Sequence, residues 1–162
     1  MSGARRAGDS NAAAVGRGAR AGIVAAAVWA ATEPLAQRAF RTPYSDLRLL
    51  GRGVTTGPLW RPIGLAIHLG NGALFGTAFE RRGWGGWKRG LVVAEVENVA
   101  LWPAMALVER LHPDRRSGAW PPLVRNVRVF AYEATLHALF GIVLGALLAR
   151  DDQSATAAQA RR

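Results

Sequence analysis

Four apolar blocks hold most of the hydrophobic side chains of this chain, and nearly all of its charges lie between them. Each block is about as long as the roughly 20-residue helix needed to cross a bilayer core. This segregation predicts an all-α fold: a four-helix transmembrane bundle over residues 20–150, with helices at about 20–40, 62–80, 90–111 and 127–149. A basic tail at 1–19 and a polar tail at 151–162 are expected to be disordered. Pro62 opens the second block, where a missing N–H costs nothing. Trp60, Trp84, Trp87 and Trp120 fall just outside blocks, where amphipathic rings meet lipid headgroups. The link ERRGWGGWKR is short enough for an antiparallel hairpin. In the longer link of residues 41–61, Ser45 can cap a short helix, with Leu47, Leu50 and Val54 lying on the headgroup surface. The link HPDRRSGAWPP ends in a proline pair that stops any helix, and its His112 reads as solvated.

Blocks one and three strain this reading. Block one is alanine-rich and its clean apolar run stops at Thr32. Arg17, Arg20 and the run that ends in AVWA also fit a signal peptide. Glu33-Pro34 is either a kink carrying a carboxylate or the end of the helix. Block three carries Glu95, Glu97 and Asn98. A mid-bilayer carboxylate costs about 2.5–3.5 kcal/mol on insertion scales, whereas each Val or Leu returns about 0.3–0.6. The block therefore needs a partner helix, protonation, or a shallow Glu95 near Lys88 and Arg89.

The net charge of +10 raises the question of nucleic acid. The basic residues occur in every loop and tail rather than on one face. They suit anionic headgroups, and no nucleic-acid partner is expected. With no cysteine, disulfides, thiolate metal sites and cysteine nucleophiles are excluded. There is no phosphate loop, serine elbow, zinc-protease motif or dinucleotide fingerprint, so no enzyme class is indicated. Basic residues divide almost evenly between the two sides of the expected bundle. The positive-inside rule then gives no orientation, and both termini inside is the default for an even helix count.

A shift of 69 residues lays His68 on His137, Gly72 on Gly141, Gly76 on Gly145 and Pro34 on Pro103. The pattern is that of a 2+2 internal repeat, a known route to membrane bundles. Residues four apart share a helix face. His68, Gly72 and Gly76 thus form one stripe, and Glu133, His137, Gly141 and Gly145 another. The glycines predict close helix packing, so both stripes should face a neighbouring helix. At 1.5 Å per residue, Glu33, His68 and His137 all lie about 18–20 Å from the side holding the N-terminus, with Asn71, Glu97 and Asn98 at roughly 10–14 Å and Glu133 one turn beyond His137. The cluster Glu33, His68, Glu97, Glu133 and His137 is expected to point inward.

Three readings of the cluster stay open. The first is interhelical hydrogen bonding that fixes helix register, in a bundle that acts through packing, assembly or partner binding, including as a homo-oligomer. The second is a proton or ion pathway centred on His68 and His137. The third is a divalent metal or haem held by His68 and His137 with Glu33 or Glu133; no cofactor is expected under the first two. Segments such as TEPLAQRAFRTPYSDLRLLGRGVT, WRPIGLAIHLGNGALFG and LHALFGIVLG resemble uncharacterised small multi-pass membrane proteins of high-GC bacteria. That resemblance implies about four helices in the bacterial cytoplasmic membrane, with lipid as the partner, and carries no known activity.

Overall fold

The apolar blocks all become helices, and no strand occurs among the described residues. The computed structural model describes residues 2–160, with side chains from 12 to 150. Its elements are α1 (Ser2–Phe40), α2 (Asp46–Val54), α3 (Trp60–Arg81), α4 (Trp87–Leu101), a 3-10 turn (Trp102–Ala104), α5 (Met105–Leu111), α6 (Pro113–Arg116) and α7 (Val127–Ala160). Pro103 sits in the 3-10 turn, where its missing N–H tightens block three without ending it. Pro34 does not end α1 either. Thr32 Oγ1 donates to the Val28 and Trp29 carbonyls at 2.9 and 3.0 Å, just before the proline, and the helix continues to Phe40. It closes on Arg41 in the left-handed region at φ 49°, with Thr42 N–H donating back to the Gln37 carbonyl.

Two stretches, Trp87–Leu111 and Val127–Arg150, are long and apolar enough to cross a membrane, each with mean hydropathy 1.6. Four were expected. In α1, Arg20, Thr32, Glu33 and Pro34 lower the hydropathy; in α3, His68, Asn71 and the glycines do so. Even so, the outward faces are apolar: Leu74 is 72% exposed, Val96 63% and Leu107 61%. These side chains give the helices a partly apolar outer surface.

The expected tail boundary at residue 19 is corrected for residues 12–19. They are helical, Gly18 is buried against α3, and Arg17 Nε donates to Glu80 Oε1 at 3.1 Å. The rest of the two expected tails, 1–11 and 151–162, lies outside the residues whose side chains are described.

Glycine brings the helices together in antiparallel pairs. Gly18, Gly22 and Ala26 of α1 meet Gly76 and Gly72 of α3. Gly86, Gly90 and Ala94 meet Gly145 and Gly141 of α7 in the same order, and Gly86 N–H donates to the Gly145 carbonyl at 3.0 Å. A Cβ on Gly22 would collide with the Gly72 carbonyl, and one on Gly90 with the Gly141 carbonyl. The two halves of the chain therefore repeat the same contact. The first helices correspond at 90 − 22 = 68 residues and the second at 141 − 72 = 69. An ungapped shift of 69, which lays Gly22 on Leu91, is off by one residue there.

α1 also packs on α7, through Trp29, Glu33 and Phe40 against Tyr132, His137 and Phe140. α3 and α4 make at most a marginal contact among the described residues. The bundle thus runs α3, α1, α7, α4 and stands open between its first and last members.

The links meet at one end. Ser45 Oγ accepts from Arg48 N–H at 3.0 Å, the cap the sequence suggests. α2 does not lie free on a surface, however. Gly51 and Gly64 let it cross tightly over the start of α3, turning Leu49 and Leu50 towards the bundle while Val54 remains exposed. From α2, Arg48 Nη2 and Arg52 Nε reach Asp114 Oδ1 at 2.7 and 3.3 Å.

Beside that carboxylate, His112 is buried, not solvated, and Trp120 is buried, not at a headgroup surface. Their rings stack at 4.4 Å with an interplanar angle of 4°. His112 Nδ1 accepts from Asp114 N–H and Nε2 donates to the Leu49 carbonyl, each at 3.2 Å. The neutral ring satisfies both contacts, because Nδ1 must keep its lone pair. Burial pushes the His112 imidazole below its ordinary value, and Arg52 and Arg48 push the same way, against the opposing pull of Asp114. A folded value below the unfolded one means that the unfolded chain binds more protons. The stability due to His112 is therefore complete above the ordinary histidine range and is lost as pH falls through it. Thermal unfolding in detergent should show a lower Tm near pH 5.5 than near pH 7.5 (about one unit either side of a free imidazole). His112→Phe keeps a ring in the stack and should reduce that difference; an unchanged pH dependence would remove His112 as its source.

Candidate functional site

The polar residues separate into two groups. Glu33 Oε1 accepts from Asp46 backbone N–H at 2.7 Å and from the Tyr132 hydroxyl at 2.8 Å. It ties α1 to the first residue of α2 and to α7. It is buried, but among the described residues these hydrogen bonds go to neither histidine.

His68 is satisfied instead by Asp46, which the sequence reading passed over. Nδ1 lies 2.9 Å from Asp46 Oδ2, and Nε2 lies 3.2 Å from the Ala26 carbonyl. Asp46 reaches across because α2 folds back over α3 at Gly51 and Gly64. The signal was present in Ser45-Asp46, a helix start, followed by Gly51.

His137 repeats the pattern on α7. Nδ1 donates to the Glu133 carbonyl at 2.8 Å, and Nε2 lies 3.4 Å from Glu97 Oε2 on α4. Glu133 Oε2 is 3.5 Å from Nδ1. In both histidines one ring nitrogen faces a fixed backbone carbonyl and the other faces a carboxylate. The nitrogen facing the carbonyl must donate, and the contact with the carboxylate is a hydrogen bond when a second proton lies on either the ring or the carboxyl group. Trp29 packs edge-on against both imidazoles, with centroids 5.2 and 4.6 Å away.

His68, His137, Trp29, Asp46, Glu97 and Glu133, but not Glu33, line a cavity of about 310 Å³. Asp46, Leu49 and Leu50 of α2 and Met105 and Val108 of α5 form one wall, and Phe75 and Phe140 contribute another. The mouth lies between α3 and α4, where exposed Asn71, Leu101 and Ala104 reach the lining. Asn71 is therefore at the rim, not inside the bundle. Asn98, by contrast, is buried. Tyr44 also lines the cavity. Burial, reinforced by the Glu133 and Asp46 carboxylates, pushes its phenol well above the ordinary value, so it remains a neutral O–H.

Three buried polar atoms of lining residues lack a hydrogen-bond partner: Trp29 Nε1, Asn98 Nδ2 and Glu133 Oε1. Two are donors and one is an acceptor. Gly72, Gly76, Gly141 and Gly145 lie on the same stripes as the histidines, as expected, and make the helix contacts. Among the described residues no three His, Asp or Glu side chains converge as a group able to hold a metal ion. Compared with protein-family models, curated proteins and solved structures, the chain matches none.

Proposed function

We propose that the chain is a four-span protein of the bacterial cytoplasmic membrane whose cavity binds a small ligand entering sideways from lipid, between α3 and α4. The observation that carries this reading is the cavity itself, lined by His68, His137, Asp46, Glu97 and Glu133 among aromatic rings and open between α3 and α4. Helix packing accounts for the glycine contacts, but not for histidines and carboxylates gathered with aromatic rings around a cavity. The apolar outer faces and the resemblance to small multi-pass proteins support the membrane setting.

A second reading is favoured by a separate observation, the settings of His68 and His137, each between a backbone carbonyl and a carboxylate, through opposite ring nitrogens. A proton facing the carboxylate can pass between ring and acid while the carbonyl holds the other nitrogen. Proton transfer coupled to the occupancy of the cavity combines both readings.

Because the chain lacks cysteine, single cysteines report topology cleanly. Thr56→Cys and Ser117→Cys should react with a membrane-impermeant maleimide from the periplasmic side, and Arg82→Cys from the cytoplasmic side. Asn71→Cys, at the cavity mouth, should react with a lipid-soluble maleimide and resist the impermeant one. Labelling of Thr56→Cys and Arg82→Cys from the same side ends the four-span reading. Ready labelling of Asn71→Cys by the impermeant reagent ends the lateral entry.

A further inference from the structure

The chain carries 21 lysines and arginines, yet none of those among the described residues lines this cavity. Its ionisable lining, apart from the Tyr44 phenol, consists of three acidic side chains, Asp46, Glu97 and Glu133, with the two histidines beside them. Asp46 is engaged by His68, and Glu97 faces His137. Glu133 is buried to 4% exposure, and its Oε1 has no partner. The remaining lining is mostly apolar and aromatic, including Trp29, Tyr44, Phe75, Trp102 and Phe140. Such rings present negative faces that attract cations.

Resting on the ligand-binding reading above, we propose that the ligand is a hydrophobic amine, bound as its ammonium ion with the charged nitrogen at Glu133 and the apolar body among the aromatic rings. An ammonium brings donors to the free Glu133 oxygen. A hydroxyl or carbonyl elsewhere on the molecule would accept from Trp29 Nε1 and Asn98 Nδ2. The mouth between two helix faces selects for a molecule that partitions into lipid first. An anionic amphiphile of the same body is repelled by the carboxylates and finds no lysine or arginine in the lining.

Three probes of matched shape test this: 4-phenylbutylamine, 4-phenylbutanol and 4-phenylbutyrate, titrated calorimetrically onto the full-length protein in nanodiscs of zwitterionic lipid, with empty nanodiscs as the blank. The amine should bind saturably, and the alcohol and carboxylate at least about tenfold more weakly, the scale of one charged hydrogen bond. Glu133→Gln should weaken the amine by a similar factor and leave the alcohol unchanged. Should that buried substitution prevent folding, Glu97→Gln at the half-exposed rim gives a smaller loss in the same direction. Equal binding of alcohol and amine overturns the cationic class and leaves the cavity reading standing. Tighter binding of the carboxylate overturns the class outright. Binding of none of the three overturns the cavity reading and this proposal together.

Discussion

Gly22→Val is expected to destabilise the protein by about 3 kcal/mol or more, and Gly90→Val by a similar amount. Inserting methyl groups into a packed contact typically costs about 1–3 kcal/mol when side chains can move aside. Here the obstruction is a backbone carbonyl, Gly72 for one position and Gly141 for the other, so whole helices must part. Parting them also opens the neighbouring contacts, Gly18 with Gly76 in the first pair and Gly86 with Gly145 in the second. Gly70 supplies the control: it lies on α3, is exposed, and an added Cβ would meet nothing within 4 Å. Gly70→Val carries the same change of side chain without the collision and should move stability by no more than about 0.5 kcal/mol, the usual range for surface substitutions. Reversible unfolding in mixed micelles measures all three. Equal losses at Gly22, Gly90 and Gly70 would show that the glycine contacts contribute little to holding the bundle.

The second large effect is expected at Asp114. Asp114→Asn preserves shape but removes the charge that holds Arg48 and Arg52 together. Breaking a buried ion pair by deleting one partner costs about 3–5 kcal/mol when the other charge is stranded. The arginines retain 29% and 26% exposure, so part of that cost is relieved by water, and a loss of about 2 kcal/mol is expected. Arg48→Met alone should cost less, because Arg52 still reaches the carboxylate. Combining Arg48→Met with Asp114→Asn should cost less than the sum of the two, since the stranded charges are fewer. Strict additivity of the double variant would mean that Arg48 and Asp114 do not interact in solution.

The parts of the fold legible in the sequence were those set by local spacing. The stripes His68–Gly72–Gly76 and His137–Gly141–Gly145 follow from helical periodicity, and the Ser45 cap follows from its side-chain chemistry. Their partners were hidden for a physical reason. Gly18 belongs to a stretch whose composition resembles a tail and Gly22 to an alanine-rich block, and only contact with α3 reveals their packing. Asp46 sits in a link that is amphipathic by itself; its role depends on α2 folding back over α3, a tertiary event with no periodic signature. His112 and Trp120 looked like loop residues because polar neighbours flank them, while the stack that buries them joins segments far from the bundle's regular spacing. Glu33 is buried but bonds to Tyr132 and Asp46 rather than to a histidine, since rise per residue gives height along an axis but not the direction a side chain faces.

The one-residue difference between the two helix registers changes what the halves can do. With the first helices matched 68 residues apart, Trp29 corresponds to Glu97 and Ala30 to Asn98. The same scaffold position therefore carries an indole in one half and an acid in the other. A protein assembled from two identical hairpins could not make that distinction, since any change would appear twice. Joining the hairpins in one polypeptide permits a division of labour: one half contributes the aromatic wedge that touches both imidazoles, and the other contributes the carboxylate and amide that complete the opposite wall. One side of the ring is closed by α1 against α7 and the other is left apart, so asymmetry of chemistry and asymmetry of access arise together.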